Sequence, residues 1–414
     1  MKWWFRRPLY TQIFVCILAG ALLGLALGDK ASALKPVGDV FLRLLMMLIV
    51  PLTFFTLTSG MTKLEDLRSF RKMGGMVVLY FLLTSLLAAA VGTASGLLVR
   101  PGKEAAGLLD QGAKVEAVPF DFLENVVSWF PKNPVESFGQ GNMLQIIVFS
   151  LIVGLGLLAL GDKGARLVRL VDDGAELMIK ITDFVMKVAP YGILALVADM
   201  VASLGTRMLG ELARLVAADA AAMAFLLAAV YPAALRLLGR LGPFRFYRNA
   251  ASAMLVAAST TSSGATLPVS MAAARDHMGI PEKIWGFSLP LGATVNMDGM
   301  AASIGVIAVF AANLYGVPVT ASLLVQFVFL GLVLSIGTAG IKGGGIVMSG
   351  VLLQSLNMPL ALIPILASIW PVLDIGHTTC NVTGDLVGTA IVANRMKALD
   401  RDVFDGTRAD GGGA

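Results

Sequence analysis

Charge is what this sequence has least of. Asp, Glu, Lys and Arg supply 14% of its 414 residues while 57% are hydrophobic; a soluble globular chain has about a quarter charged residues. A single soluble domain is thereby excluded. Cysteine is nearly absent: Cys16 and Cys380 lie far apart in apolar segments, which excludes a disulfide framework and a cysteine metal site. Two histidines, His277 and His377, are too few for a histidine-rich metal centre, and His277 sits in the polar stretch Arg275-Asp-His-Met, read as a loop. HExxH and GxSxG are missing, so no common hydrolase chemistry is encoded. The excess of +5 is spread over short loops, where it reports topology and excludes a nucleic-acid surface.

Long apolar runs are what remains. Stretches of roughly 20 such residues suffice to cross a bilayer as helices. They fall at 9–28, 38–60, 76–99, 143–160, 176–203 and 208–238. The basic Met1–Pro8 segment runs straight into the first of them without a small-residue cleavage site, so we expect a retained helix. Segment 100–140 is polar and contains Pro and Gly, as a loop outside lipid does. Lys2, Arg6 and Arg7, then Lys63, Arg68, Arg71 and Lys72, then Lys163, Arg166 and Arg169, then Arg236, Arg240, Arg245 and Arg248 all fall on one side when the spans are counted. The positive-inside rule makes that side, with both termini, cytoplasmic in a cell membrane. The tail Arg401–Ala414 is polar and ends Asp-Gly-Gly-Gly-Ala, which predicts disorder.

The character changes near residue 250. Two apolar segments, 251–274 and 322–356, are broken by Ser262-Ser-Gly-Ala-Thr-Leu-Pro268 and by Gly337-Thr-Ala-Gly-Ile-Lys-Gly-Gly-Gly345. Each half is too short to span, so each pair reads as a hairpin entering and leaving by one face. Each is followed by a span with a polar interruption, Asn296-Met-Asp-Gly299 and Asn381-Val-Thr-Gly-Asp385. A hairpin plus a broken helix, twice, is the pattern of an inverted repeat, and irregular backbone at membrane depth is tolerated where it lines a cavity or binds ions. Asp298 and Asp385 stand inside these apolar runs. A carboxylate at that depth costs several kcal/mol unless a cation, a hydrogen-bond network or a proton compensates it.

These motifs, Ser262–Pro268, Asn296–Gly299, Ser335–Gly345 and Asp374-Ile-Gly-His-Thr-Thr-Cys-Asn-Val-Thr-Gly-Asp385, resemble in order and spacing the dicarboxylate/amino acid:cation symporters, the family of glutamate and neutral amino acid transporters. The resemblance covers the last 170 or so residues by motif and the first half by hydropathy and Tyr80-Phe-Leu-Leu-Thr-Ser85. It implies an all-α polytopic membrane protein with the elevator fold of the glutamate transporters: eight transmembrane helices, two re-entrant hairpins and a homotrimer. Scaffold helices would occupy 1–75 and 143–203, the latter with trimer contacts, around an extracellular loop at 101–142. The moving transport domain would comprise 76–100, 204–248, hairpin 249–280, broken helix 281–316, hairpin 317–357 and helix 358–398, before a cytoplasmic tail at 399–414.

The resemblance also implies sodium, a hard cation that takes oxygen ligands. Asp385, Asn381, Asn296 and the backbone at Gly292 match one sodium site. Asp298, Asn296, Thr84 and Ser85 match a second, beside Phe81. Thr294, Met297, Ser335, Ile336 and Thr338 match a third, closed by the second hairpin. A proton in place of one sodium is the alternative. For the substrate, Asp374 matches the aspartate that takes an amino acid's ammonium, and Ser263, Thr378 and Asn381 match the groups around its α-carboxylate. Met300, Ile341, Lys342 and Gly345 line the same site.

His377 stands where family members for acidic substrates carry an arginine. An arginine is permanently charged and forks onto a carboxylate, whereas a buried histidine is often neutral and Met300 donates nothing. The departure favours a neutral amino acid. The alternative is an acidic amino acid or dicarboxylate held by Lys342 and charged His377, Lys342 replacing the family's usual proline. Trp370 replaces a second aspartate and Thr261 an arginine; Cys380 reads as a small packing residue. A ligand-gated anion-conducting channel is the reading from another functional class.

Overall fold

The computed structural model describes residues 7, 9–62, 71–106, 127–336, 338 and 343–407. Among them every regular element is helical. In lipid each backbone N–H needs a carbonyl from its own segment, and a helix supplies one. The first half contains α1 (Leu9–Leu27), α2 (Lys35–Thr62), α3 (Arg71–Val99) and α4 (Met143–Leu160). Next comes one helical run, Ala165–Phe225, that turns at Gly205, whose φ of 70° is the left-handed geometry glycine adopts freely. We number its arms α5 (165–204) and α6 (Arg207–Gly239), the latter ending in wide π-helical turns.

Among the described residues six stretches are long and apolar enough to cross a membrane; Thr11–Thr62 takes in α1 and α2, and Leu144–Gly205 takes in α4 and α5. The predicted spans are all helical, and several run longer than expected. The fifth gains about three turns before residue 176 because its charged residues stay helical: Ser59 of α2 donates to Asp172 there. Segment 107–126 of the expected extracellular loop and the basic residues 63–70 lie outside the described residues. Of the remainder, Lys103–Ala105 forms a short turn and Pro134–Gln140 a short helix capped by Asn133.

The second half follows the hairpin expectation. Helices α7 (Pro243–Thr260) and α8 (Ser263–Ala272) pack on each other across a reversal at Thr261, φ 50°. The second hairpin is α11 (Ala321–Ile336) against α12 (Gly344–Ser355). Between them α9 (Glu282–Val295) and α10 (Asp298–Leu314) are separated by non-helical Asn296 and Met297.

Two expectations fail. The span carrying Asn381–Asp385 is not broken: α13 runs helically from Ile363 to Arg395. Its polar residues Asp374, His377, Thr378, Asn381 and Asp385 recur at helical spacing and need no unwinding to face one way. Nor is the tail wholly without structure. Asp400 caps α14 (Arg401–Asp405), accepting from Asp402 N at 3.0 Å and Val403 N at 3.3 Å, and Phe404 is buried. A single aromatic with a base to dock on outweighs the polar composition around it.

The apolar window of α9–α10 is 94% buried, that of α4–α5 only 28%. α10 is therefore the axis of the second half, with α3, α11 and α13 around it. Small residues allow the closest of these approaches: Gly92 of α3 lies against the Ala302 carbonyl, and Gly305 of α10 against Ala89 and Thr93, where a side chain would collide. That contact brings the polar pair Thr84–Ser85 of α3 to the broken helix.

Candidate functional site

The break between α9 and α10 places Asp298, fully buried, on the first turn of α10. The positive end of the helix dipole and its free N–H groups favour a carboxylate at that position. Ser85 donates to Asp298 Oδ1 at 2.9 Å, and the Tyr231 hydroxyl lies 3.0 Å from both Asp298 Oδ2 and the Cys380 carbonyl. Asn381 on α13 accepts from the next N–H of the helix, that of Gly299, at 2.8 Å.

Asn296, in the break itself, links the two carboxylates' surroundings. Its oxygen accepts from Thr84 at 3.2 Å and its amide nitrogen donates to Asp385 Oδ1 at 3.0 Å. The backbone of Gly292 lies so close to Asp385 that a β-carbon there would strike the carboxylate. Thus the structure brings together all four residues expected at the first sodium site and the four at the second, with Asn296 shared. The third set converges less. Thr294 Oγ donates to Leu291 O at 2.9 Å, Ser335 Oγ to Leu332 O at 2.8 Å and Thr338 Oγ to Leu334 O at 3.0 Å, each within its own segment. Among the described residues no hydrogen bond joins Thr294 or Met297 to Ser335, Ile336 or Thr338. The Met297 carbonyl instead accepts from Ala301 N at 2.8 Å.

A cavity of about 90 Å³ lies where the two hairpin tips meet α13 and the first helices; Thr261, Gly343, Trp370 and Asp374 are on its wall. Ser263, buried, begins α8 behind the first tip. Trp370 and Met300 both press on Gly345, leaving no room for a β-carbon there. Two turns further along α13 the His377 ring stands 5.4 Å from that of Trp370. Buried Thr378 and Asn381 continue the same stretch of helix. Met300, Gly345, Asp374, His377, Thr378 and Asn381 therefore fall in one region with Trp370, Ser263 sits two residues past the Thr261 wall position, and Ile341 and Lys342 lie outside the described residues.

Sequence reasoning missed two members. Asp219 of α6 pairs with His377: Nε2 and Oδ2 are 2.9 Å apart, with side chains 1% and 3% exposed for His377 and Asp219. A lone carboxylate in the run Leu215–Leu227 is the same signal that singled out Asp298. Tyr231 had no comparable signal, being one aromatic in an apolar helix. Three buried polar atoms in this cluster have no hydrogen-bond partner among the described residues: His377 Nδ1, Asp219 Oδ1 and Trp370 Nε1. Unpaired buried donors and acceptors are rare, and each one is a place where a ligand gains by supplying the missing partner.

Comparison with known proteins agrees with this geometry. The sodium:dicarboxylate symporter family matches residues 9–395. A proton/sodium-glutamate symport protein of Bacillus caldotenax is 31% identical over 395 residues, 92% of this chain and 93% of its own. A C4-dicarboxylate transport protein of Anaeromyxobacter dehalogenans (strain 2CP-C) is 30% identical over 420 residues, 98% and 94% of the two chains. Another of that name, from Bacillus subtilis (strain 168), is 28% identical over 404 residues, 95% of each. None of these three names supports the neutral-substrate expectation. Full-length similarity, apolar spans and paired hairpins lead to one conclusion: the chain is a multi-pass membrane protein that belongs to the sodium:dicarboxylate symporter family, a family of transporters and not of enzymes.

Proposed function

We propose that this protein is a sodium-coupled symporter that brings a small acidic substrate into the cell, with an acidic amino acid preferred over a plain C4-dicarboxylate. The observation that carries the reading is a pair of unpartnered ring nitrogens: Trp370 Nε1, on a residue of the cavity wall, and His377 Nδ1, on the ring 5.4 Å from that of Trp370. A substrate carboxylate supplies the acceptor both need. Asp219, 2.9 Å from Nε2, is placed as the counter-ion of a charged imidazole, whose Nδ1 would then be a charge-assisted donor in place of the absent guanidinium. Asp374 on the cavity wall gives a substrate ammonium its counter-charge, hence the preference for an amino acid. The names of the relatives, which refer to glutamate and C4-dicarboxylates, support the acidic class. The neutral reading keeps only the loss of the arginine and Met300 in its favour.

Sodium bound near Asp385 and Asp298 offsets two buried charges, and this couples transport to the gradient. With a site empty, the transport domain would carry a bare carboxylate through the bilayer, so only the loaded form crosses. The second hairpin acts as the gate over the substrate. The apolar outer face of α4 and α5, where Leu155, Leu170, Leu177 and Phe184 are exposed, suits the scaffold of a homotrimer in lipid. The test is uptake into proteoliposomes under an inward sodium gradient, with aspartate, glutamate, succinate, serine and alanine. Aspartate or glutamate transported with the lowest KM fits the proposal. Uptake of serine and alanine with aspartate excluded returns the assignment to the neutral class.

A further inference from the structure

Asp219 lies in the middle of α6, in the run Leu215–Leu227, with no other charged residue in that run. It is 2% exposed and makes its hydrogen bond to His377 on another helix, α13. A carboxylate placed there without a role costs several kcal/mol. A carboxylate only accepts, so the proton between them sits on His377 Nε2 and the ring is held in one orientation. What the far nitrogen offers then depends on Asp219. With a carboxylate as its counter-ion the imidazole can hold a second proton, and Nδ1 then carries a proton that it can donate. Beside a neutral group the imidazole is neutral and Nδ1 presents a lone pair, which repels a substrate carboxylate and accepts from an amide. Asp374, one turn earlier on α13, faces the same cluster and adds negative charge that acts in the same direction as Asp219.

We propose that Asp219 is the specificity-determining residue of this transporter. It does not touch substrate; it positions His377 so that the site receives a carboxylate where a neutral partner would otherwise fit. This deepens the acidic-substrate reading and rests on it.

Aspartate and asparagine are near-isosteric and separate charge from shape. In proteoliposomes with a sodium gradient, the wild-type protein is expected to have a lower KM for aspartate than for asparagine. Asp219→Asn keeps the shape and an acceptor oxygen. It should raise the aspartate KM about ten- to a hundredfold, the worth of one charge-assisted hydrogen bond, with the asparagine KM and both maximal rates moving less than about threefold. Equal loss for both substrates, or no change for either, overturns the proposal. A second measurement needs no variant at this site. His377 and exposed His277 are the only histidines, so His277→Asn leaves a single reporter. Nitrogen-15 solid-state NMR of that protein in bilayers at pH 7 should show both ring nitrogens of His377 protonated. A bare Nδ1 overturns the proposal even if Asp219→Asn cannot be recovered folded. If the wild-type protein prefers asparagine, the acidic-substrate reading has failed on its own, and the NMR result still decides whether Asp219 keeps the ring charged.

Discussion

Asn296 turns its amide nitrogen, not its oxygen, towards Asp385, at 3.0 Å, while its oxygen accepts from Thr84 at 3.2 Å. This orientation sets a donor against the carboxylate and spares two oxygens from facing each other. Under the proposed sodium coupling, an ion at Asp385 would take oxygen ligands where that amide nitrogen now stands.

Asp385→Asn should remove the charge that an ion at this site would offset. The sodium concentration for half-maximal aspartate uptake is expected to rise at least about tenfold, a loss on the order of one charged contact. Unchanged sodium dependence would show that the first site is not at Asp385. Gly292→Ala provides an independent check, because its β-carbon would strike the same carboxylate, and a similar loss of sodium affinity is expected.

Tyr231→Phe tests the network around Asp298. The phenol is fully buried and its oxygen stands 3.0 Å from Asp298 Oδ2. Removing it leaves one carboxylate oxygen without its donor, at a cost of about 1–3 kcal/mol. The variant's thermal midpoint should fall in sodium-free buffer. Saturating sodium should narrow the gap to wild type, because the ion supplies the missing compensation. A gap that sodium leaves unchanged would mean that Asp298 holds no ion.

How much of this was legible beforehand differs from residue to residue. The broken α9–α10 helix was readable because Asp298 and Gly299 interrupt an otherwise charge-free run, and the two hairpins because Gly and Ser cut segments too short to span. The same logic misled at Asn381–Asp385: polar residues and Gly384 resemble a break, yet their spacing fits one helical face and α13 stays intact. Asp219 carried a visible signal, a carboxylate amid alanines, but nothing in the sequence tied it to a histidine 158 positions away. That link depends on α6 and α13 packing side by side, which is a tertiary fact. Lysine or histidine at a motif position could be read as a departure from a pattern; what compensates the departure required the fold.

Gly345→Ala probes the seat of the second hairpin. Its added methyl would collide with the indole of Trp370 and the end of Met300, both buried and closely packed. α12 must then shift, and overpacking of that kind costs about 1–3 kcal/mol. Uptake should fall about tenfold or more with protein in the membrane unchanged. Adding Trp370→Phe, which trims the ring that is struck, should restore part of the rate. Full activity in the single variant would show that α12 does not close against α13 during transport.

The end of the described chain is docked through one buried aromatic, Phe404. Phe404 is 1% exposed, the Asp400 N–H donates to the Gly279 carbonyl at 2.9 Å, and Asn249 donates to the Phe404 carbonyl at 3.0 Å. Gly279 and Asn249 belong to the base of the first hairpin, so α14 ties that base to the end of α13. Gly279, with φ 62°, leaves the space that Asp400 and Val403 occupy. Phe404→Ala should destabilise by about 3 kcal/mol, the lower range for a buried aromatic truncated to a methyl. It should also raise protease sensitivity at residues 275–282 ahead of global unfolding, because α14 contacts the π-helical turn Ala273–His277 directly. Were the midpoint to fall with no change in cleavage there, the tail would serve general stability and not the anchoring of the hairpin. The polar composition around Phe404 hides this role, since burial of one aromatic is enough to dock a short helix whose own five residues could not hold together alone.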